Sequence, residues 1–232
     1  MRYQAALRPD NHLIIDGEFI PASGAANRGF VTDFCAIQGY NSKFDMSAPL
    51  YALVAYVRSP VGRFVEDLRR DLHPQYPVMP AHLTVLPPRH LQGPEPDAYR
   101  FIEDICQKVT PFEVVMGDVE SFAPATPTVF IRVARAGYRM RELHDHLNTG
   151  PLLYDEPWPY MPHLTIVKLG EGTNAVLAAE TCRSRWLKYN GSRRILIDQL
   201  TFVREGIEPY TWVDLAPIPL GSSLQSPVAS GQ

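Results

Sequence analysis

The sequence contains few cysteines and lacks any long apolar run. Its three cysteines, Cys35, Cys106 and Cys182, are far apart and have no C-x-x-C spacing, which argues against a disulfide framework or a structural zinc site. We interpret them as buried or incidental thiols. No apolar stretch is long enough to span a bilayer, and the first residues lack the apolar segment and cleavage site of a secretion signal. These absences predict a soluble, cytoplasmic protein with no membrane partner and no metal site.

The sequence also lacks an excess of positive charge. The formal net charge is −3, from 22 Lys and Arg against 25 Asp and Glu. A binder of long nucleic acid normally carries a broad positive face, so long double-stranded nucleic acid is not expected as a partner. Basic residues do cluster locally, in a pattern typical of solvated helix faces that still allows a local anion site: Arg132, Arg135, Arg139 and Arg141, then Arg183, Arg185, Lys188, Arg193 and Arg194.

The folded part of the chain is predicted to lie between two less regular ends. Residues 1–48 lack sustained periodicity and read as an extension with one short hairpin between Leu13 and Ile20, and residues 221–232 read as a flexible tail. With 45% hydrophobic residues in a chain of 232, residues 49–220 can bury a sizeable core. We expect a monomer whose two lobes cover about 49–125 and 126–220, with strand exchange between them as an option.

Hydrophobic periodicity within this domain alternates between strand and helix patterns, which predicts an α+β fold. A first helix is expected to start at Ser59 and Pro60 and to end at Leu72, because Ser caps helices well and Pro fits the first turn. The other predicted helices run from a cap at Asp97 to Val109, from 138 to 147 and from 174 to 189. The predicted strands cover 51–57, 114–122, 128–133, 193–204 and 210–215.

The two halves of the domain repeat the same order of elements and share a sequence motif. Segment 76–85 reads Tyr-Pro-Val-Met-Pro-Ala-His-Leu-Thr-Val, and segment 158–166 reads Trp-Pro-Tyr-Met-Pro-His-Leu-Thr-Ile. Such a duplication predicts two similar antiparallel-sheet lobes that are related by a pseudo-twofold axis and carry helices on their outer faces. Equivalent residues would then face each other across one cleft.

Each copy of the motif places a histidine and a threonine on the same face of a strand. Side chains alternate along a strand, so His82 and Thr84 project together, as do His163 and Thr165. Two imidazoles suit acid–base catalysis of phosphoryl transfer, since a pKa of about 6.5 lets one accept and the other donate a proton. The threonine hydroxyls can donate to phosphoryl oxygens. We predict these four as catalytic residues that require no metal or other cofactor; the alternative is a pair of core histidines.

With these paired motifs, residues 51–215 resemble the 2H phosphoesterase superfamily, particularly the bacterial RNA 2′,3′-cyclic phosphodiesterases, also called 2′-5′ RNA ligase-like proteins. The resemblance implies a bilobal α+β fold and a phosphodiesterase involved in RNA processing. It implies metal-independent opening of 2′,3′-cyclic phosphates, at RNA 3′ ends or on small cyclic nucleotides, to 2′-phosphates. It also implies that Lys168, a basic residue that follows the second motif, helps to hold the substrate phosphate.

Several nearby residues have two interpretations each. The chain continues after the first motif as Leu-Pro-Pro-Arg-His over 86–90, where many relatives have a Leu-Gly type continuation, so Arg89 could bind a phosphate or simply be solvated. Tyr160 could stack on a nucleobase or pack between the lobes. His144 and His146 point to different faces of a helix and are interpreted as surface histidines rather than metal ligands.

Three other functions use the same residues. The site could run in reverse as a 2′-5′ RNA ligase, since one active site permits both directions. Alternatively, the chain could be a non-catalytic module that binds nucleotides or RNA ends. A metal-dependent hydrolase is the last option, and chelation would test it.

Overall fold

The structure, a computed structural model, describes residues 13–15, 18–20, 48–72, 79–169, 175–208 and 211–221. The chain divides into two compact units, Met1–Asp45 and Met46–Gln232. In the first unit, β1 (Leu13–Ile15) and β2 (Glu18–Ile20) form an antiparallel pair, in the segment where the sequence predicts a hairpin. The rest of the predicted extension up to residue 47, residues 222–232 of the predicted tail and Cys35 lie outside the described residues.

The second unit alternates strands and helices, as the periodicity predicts. Its strands are β3 (Tyr51–Tyr56), β4 (His82–Arg89), β5 (Phe112–Ser121), β6 (Thr128–Arg135), β7 (His163–Lys168), β8 (Arg194–Ile197), β9 (Gln199–Glu205) and β10 (Trp212–Pro219). Its helices are α1 (Pro60–Leu72), α2 (Glu95–Cys106), α3 (Gly137–Leu147) and α4 (Ala175–Leu187). Within the described ranges, none of these helices combines the length and apolar composition that a bilayer crossing requires.

Most predicted bounds shift by a few residues, and two elements differ further. Helix α2 follows Pro94, its N-cap residue in extended conformation, instead of Asp97, and it carries Pro96 in its first turn, where the fixed φ of proline suits a helix. It ends at Cys106 rather than Val109. The single strand predicted over 193–204 is two strands, β8 and β9, separated by Asp198, because the two segments pair with different neighbours.

The eight strands of this unit form one antiparallel sheet in the order β10-β9-β3-β4-β7-β6-β5-β8. Only Asp198 separates β8, at one edge, from β9, next to the other edge, so the sheet must curl strongly. The sheet order also exchanges strands between the halves of the chain: β5 lies with β6, β7 and β8, whereas β9 and β10 lie with β3 and β4. Strand exchange is the option that the sequence analysis left open beside the contiguous lobes, 49–125 and 126–220.

The hydrophobic core lies between one face of the two central strands and the helices. Leu83 and Val85 of β4 and Leu164 and Ile166 of β7 are at most 1% exposed. Helix α1 packs on β7 and α3 packs on β4, so each helix covers the central strand of the other half. Because alternate residues of both strands are used in this core, the residues between them face the opposite side.

Candidate active site

The four predicted catalytic residues lie together at the pair of central strands. Leu83 of β4 is the register partner of Leu164 of β7, so the antiparallel pairing sets His82 across from Thr165 and Thr84 across from His163. Opposite residues have Cβ atoms about 5 Å apart, and diagonal ones about 7–8 Å. The two imidazoles thus occupy one diagonal of a four-residue cluster, and His163 is near enough to lower the pKa of His82.

Both histidine rings are held in the same tautomer by the backbone. The Nδ1 atom of His82 lies 2.7 Å from the carbonyl oxygen of Pro80, and Nδ1 of His163 lies 2.7 Å from that of Met161. A carbonyl oxygen can only accept, so each Nδ1 carries a proton and donates it. Each Nε2 is left to accept or release the proton that titrates.

The surroundings favour neutral imidazoles. Burial lowers the pKa of His82 to about 4, the hydrogen bond to Pro80 opposes this, and the charges of Arg69, Lys168 and His163 add to the lowering. Burial also lowers the pKa of His163, with a contribution from Lys168. Both side chains still keep part of their surface accessible to solvent. An anion bound between the rings would offset the nearby cations and favour protonation of one imidazole.

Lys168 faces the histidines because β7 contains a register irregularity. Plain alternation puts Lys168, five residues after His163, on the core face. The register shifts between the pairs Val129–Val167 and Phe130–Thr165, which leaves one extra residue in β7, as in a β-bulge. Val167 is then buried, whereas Lys168 is exposed; partial desolvation lowers the pKa of its ammonium, which acts electrostatically on both imidazoles. Contact between Lys168 and a substrate phosphate stays a prediction.

Arg89 is not positioned to bind a substrate phosphate, which corrects one interpretation of the sequence. Two register shifts in β4 precede it, and its side chain turns inward and is 1% exposed. Its guanidinium donates to the Asn148 side chain at 2.6 Å, the Leu152 carbonyl at 2.9 Å and the Glu156 carboxylate at 2.6 Å. With these donors occupied in the interior, Arg89 joins the end of β4 to the loop that follows α3.

Tyr160 and Arg69 hold the backbone of the two motif threonines from opposite halves. The Tyr160 hydroxyl donates to the Thr84 carbonyl at 2.8 Å, so its polar group serves the protein rather than a nucleobase. Arg69 of α1 donates to the carbonyl of Thr165 at 2.6 Å, and to those of Ile166 and Met79 at 2.9 Å each. Both are positioning residues, and Arg69 carries no motif that could have marked it in the sequence.

His144 is buried, contrary to the prediction of a surface histidine. It is 5% exposed and its ring stacks on Tyr160 with centroids 4.2 Å apart. Its nitrogens lie 2.9 Å from the carboxylates of Glu156 and Asp145. Burial by itself lowers the pKa of His144, but the bonds to these carboxylates outweigh it and raise the pKa. His146 is exposed, as predicted.

The two sides of this four-residue cluster, the predicted catalytic cluster, differ. On the side of β3 and β10, Tyr56 meets the His82 ring edge-on at 6.4 Å and a cavity of about 670 Å³ opens next to it. On the side of β5 and β6, the rings of Phe122 and Phe130 contact His163 at 5.2 and 5.0 Å. In the part of the chain that the structure describes, no cluster of three or more His, Cys, Asp or Glu has the arrangement of a metal site.

Comparison with known sequences identifies relatives over the same region. The sequence model of the 2′-5′ RNA ligase superfamily matches residues 57–206. A candidate phosphoesterase of Halalkalibacterium halodurans is 28% identical over 117 residues, 50% of this chain and 68% of that protein. Another, of Bacillus cytotoxicus, is 29% identical over 112 residues, 47% of this chain and 63% of that protein. The chain thus spans about two thirds of these relatives.

Solved structures share the fold at low sequence identity. Escherichia coli LigT complexed with 3′-AMP aligns with a TM-score of 0.51 and 11% identity, over 76% of this chain and 100% of LigT. TT0787 of Thermus thermophilus aligns with a TM-score of 0.52 and 15% identity, over 75% and 99%. These likenesses confirm the predicted α+β class with its two antiparallel half-sheets. Because the superfamily model matches more than half of the sequence, this chain belongs to the 2′-5′ RNA ligase superfamily, a group of 2H phosphoesterases.

Proposed function

We propose that the protein is a metal-independent phosphodiesterase that opens 2′,3′-cyclic phosphates, at RNA 3′ ends or on small nucleotides, to 2′-phosphates. The observation that carries this proposal is the diagonal pair His82 and His163, in which both Nδ1 atoms bind backbone carbonyls and neither Nε2 atom has a hydrogen-bond partner among the residues that the structure describes. Thr84 and Thr165 fill the other diagonal, and Lys168 adds a positive charge beside them.

The proposed reaction needs one base and one acid. A neutral imidazole takes a proton from water through Nε2 while the water oxygen forms a bond to phosphorus. The bond between phosphorus and the ribose 3′ oxygen breaks, and that oxygen receives a proton from the other, protonated imidazole. The Thr84 and Thr165 hydroxyls and the Lys168 ammonium stabilise the charge on the non-bridging oxygens. One water is consumed, and proton exchange with solvent restores both rings.

The relatives support this chemistry. The matched proteins of Halalkalibacterium and Bacillus are candidate phosphoesterases. LigT, with the same fold, has been solved with 3′-AMP and with phosphate, so a nucleotide or its phosphate is a reasonable ligand for this chain. The superfamily name also justifies a test for 2′-5′ ligation.

Single histidine variants test the mechanism. His82→Ala and His163→Ala are each expected to lower kcat by about 10²–10⁴-fold on a nucleoside 2′,3′-cyclic phosphate, the usual contribution of a positioned proton transfer. His146→Ala, which removes an exposed histidine, is the matched control and should keep full activity. Activity should persist in EDTA. Full turnover by either catalytic variant would reject the mechanism.

Product analysis separates the alternatives. Incubation with 2′,3′-cyclic and 5′-hydroxyl RNA ends should yield 2′-phosphates, and joined 2′-5′ products would favour a ligase instead. Binding of a nucleoside 2′-phosphate without turnover of any cyclic phosphate would favour a non-catalytic module. We further propose that the enzyme acts as a cytoplasmic monomer, and size-exclusion chromatography tests its assembly.

A further inference from the structure

The cavity beside His82 has the size of a ligand site, and it is lined by Tyr56, whose ring contacts that of His82, rather than by the four His-x-Thr residues themselves. Its volume of about 670 Å³ lies within the range of about 300–1,000 Å³ that is usual for small-molecule pockets. Pro80 and Ala81, which precede His82, form part of its lining. The Pro80 carbonyl accepts the His82 Nδ1 proton. A ligand in this cavity would therefore lie next to the residues that hold His82.

One wall of the cavity is apolar and aromatic. Tyr56, Met79 and Trp212 line it and pack on a small cluster of buried residues on the same side of the sheet, Ala52, Val54 and Val203. The Tyr56 hydroxyl donates to Asp214 at 2.5 Å, which fixes the ring. Half-buried aromatic rings of this kind can stack a nucleobase.

The rim of the cavity carries two arginines that are open to a ligand. Arg58 and Arg63 are exposed, and neither forms a salt bridge with any residue in the described ranges. The two carboxylates in the lining already accept hydrogen bonds, Glu66 from the Ala81 backbone amide at 3.1 Å and Asp214 from Tyr56. Guanidinium groups bind phosphate well because their donors form a planar fork.

The spacing allows one ligand to reach both His82 and Arg58, and Arg63 lines the same cavity. Tyr56 is the register partner of His82, and the Val57 amide continues the pairing by donating to the Ala81 carbonyl at 2.7 Å. Arg58 lies two residues beyond Tyr56, about 6.6 Å along an extended chain. On the other side of the cluster, Phe122 and Phe130 contact the ring of His163.

We propose that this cavity is the subsite for a nucleotide unit attached to the reacting cyclic phosphate, with Arg58 and Arg63 binding a second phosphate of the substrate. This inference rests on the proposed phosphodiesterase function and narrows its substrate class. The preferred substrates are then oligonucleotide ends or nucleotides with an additional 5′-phosphate, in place of nucleoside 2′,3′-cyclic monophosphates.

A matched pair of substrates tests the subsite. We would compare kcat/KM for adenosine 2′,3′-cyclic phosphate with that for the same compound bearing a 5′-phosphate. Wild-type protein should prefer the 5′-phosphorylated compound by about tenfold or more, as expected for a charged hydrogen bond. The double variant Arg58→Gln/Arg63→Gln should bring this ratio close to one. Arg100→Gln, which alters an exposed arginine on α2, is the control and should leave the ratio unchanged.

Binding measurements distinguish failure of the subsite from failure of the proposed function. Calorimetry with adenosine 2′,5′-bisphosphate and adenosine 2′-phosphate needs no turnover. A preference for the bisphosphate that disappears in the double variant supports the subsite even if no cyclic phosphate is hydrolysed. Turnover without a preference for the second phosphate, or a preference that survives in the double variant, would overturn it.

Discussion

The two flanks of the catalytic cluster occupy equivalent places around one pseudo-twofold axis, yet they carry different side chains. Next to the His-x-Thr residues, β3 supplies Val54 and Tyr56, whereas β6 supplies Phe130 and Arg132. The first flank borders the cavity, and the second brings two aromatic rings against His163. The repeat therefore keeps the reacting groups symmetric, while the flanks provide asymmetric surroundings that can orient a substrate.

The backbone supports of the two motifs differ in the same way. Tyr160 holds the Thr84 carbonyl with one neutral hydroxyl, whereas Arg69 holds Thr165 with a charged group that reaches three carbonyls. Burial lowers the pKa of Arg69 to about 10, which still leaves it charged at neutral pH. Two different residue types thus hold the carbonyls of the two motif threonines. The charge of Arg69 also lowers the pKa of His82.

The largest effect, on the free energy of unfolding, is expected from replacing Arg69, the charged residue that holds the Thr165 carbonyl. Arg69→Met leaves three carbonyls without this donor, and at about 1–3 kcal/mol for each unsatisfied buried group we expect the free energy of unfolding to fall by about 3–5 kcal/mol. Tyr160→Phe removes a single donor and should cost about 1–3 kcal/mol. Urea denaturation measures both. Arg70→Met, at an exposed neighbour, is the control; an equal loss there would contradict the role of Arg69.

A smaller effect on stability, together with a change in the pKa of His163, should follow from removing one ring of the aromatic flank formed by Phe122 and Phe130. Phe122→Ala removes a half-buried ring that stacks on Phe130 at 4.2 Å, and should cost about 1–2 kcal/mol, less than the usual 3–5 kcal/mol for a buried phenylalanine. Water then reaches His163, so its pKa should rise toward the ordinary value because burial is the main cause of its lowering. NMR titration of His163 measures this, with Phe122→Leu as control. An unchanged pKa would mean that Phe122 does not shield the ring.

The smallest expected effect is a shift of the pH profile of kcat/KM when Lys168, whose charge acts on both histidines, is replaced. The proposed mechanism requires one protonated imidazole, so with both pKa values lowered the optimum of kcat/KM of the wild-type protein should lie below about pH 6.5. Lys168→Gln removes a nearby positive charge and should raise both pKa values, which moves both limbs of the profile to higher pH. Burial remains the larger cause, so the shift is partial. Lys188→Gln, at an exposed lysine, should not move the profile.

Local patterns in the sequence predicted the helices, the strands and the motif. They did not predict toward which face of a strand each side chain points. The alternation His82, Leu83, Thr84 held because the core buries Leu83. Lys168 and Arg89 could not be assigned to a face by counting, because register shifts in β7 and β4 change the count. The role of Arg69 was not predicted because its partners are backbone carbonyls of residues distant in sequence. Every residue type has such a carbonyl, so the sequence does not mark these partners.

The sequence by itself determined the α+β class, the duplicated half-sheets and the pair of His-x-Thr motifs, because hydrophobic periodicity and an internal repeat are local properties of the chain. Tertiary structure alone decided which strands exchange between the halves, which direction Arg89 and Lys168 face, and where the cavity opens. These depend on register between distant strands and on the curl of the sheet, since contacts between distant residues fix both.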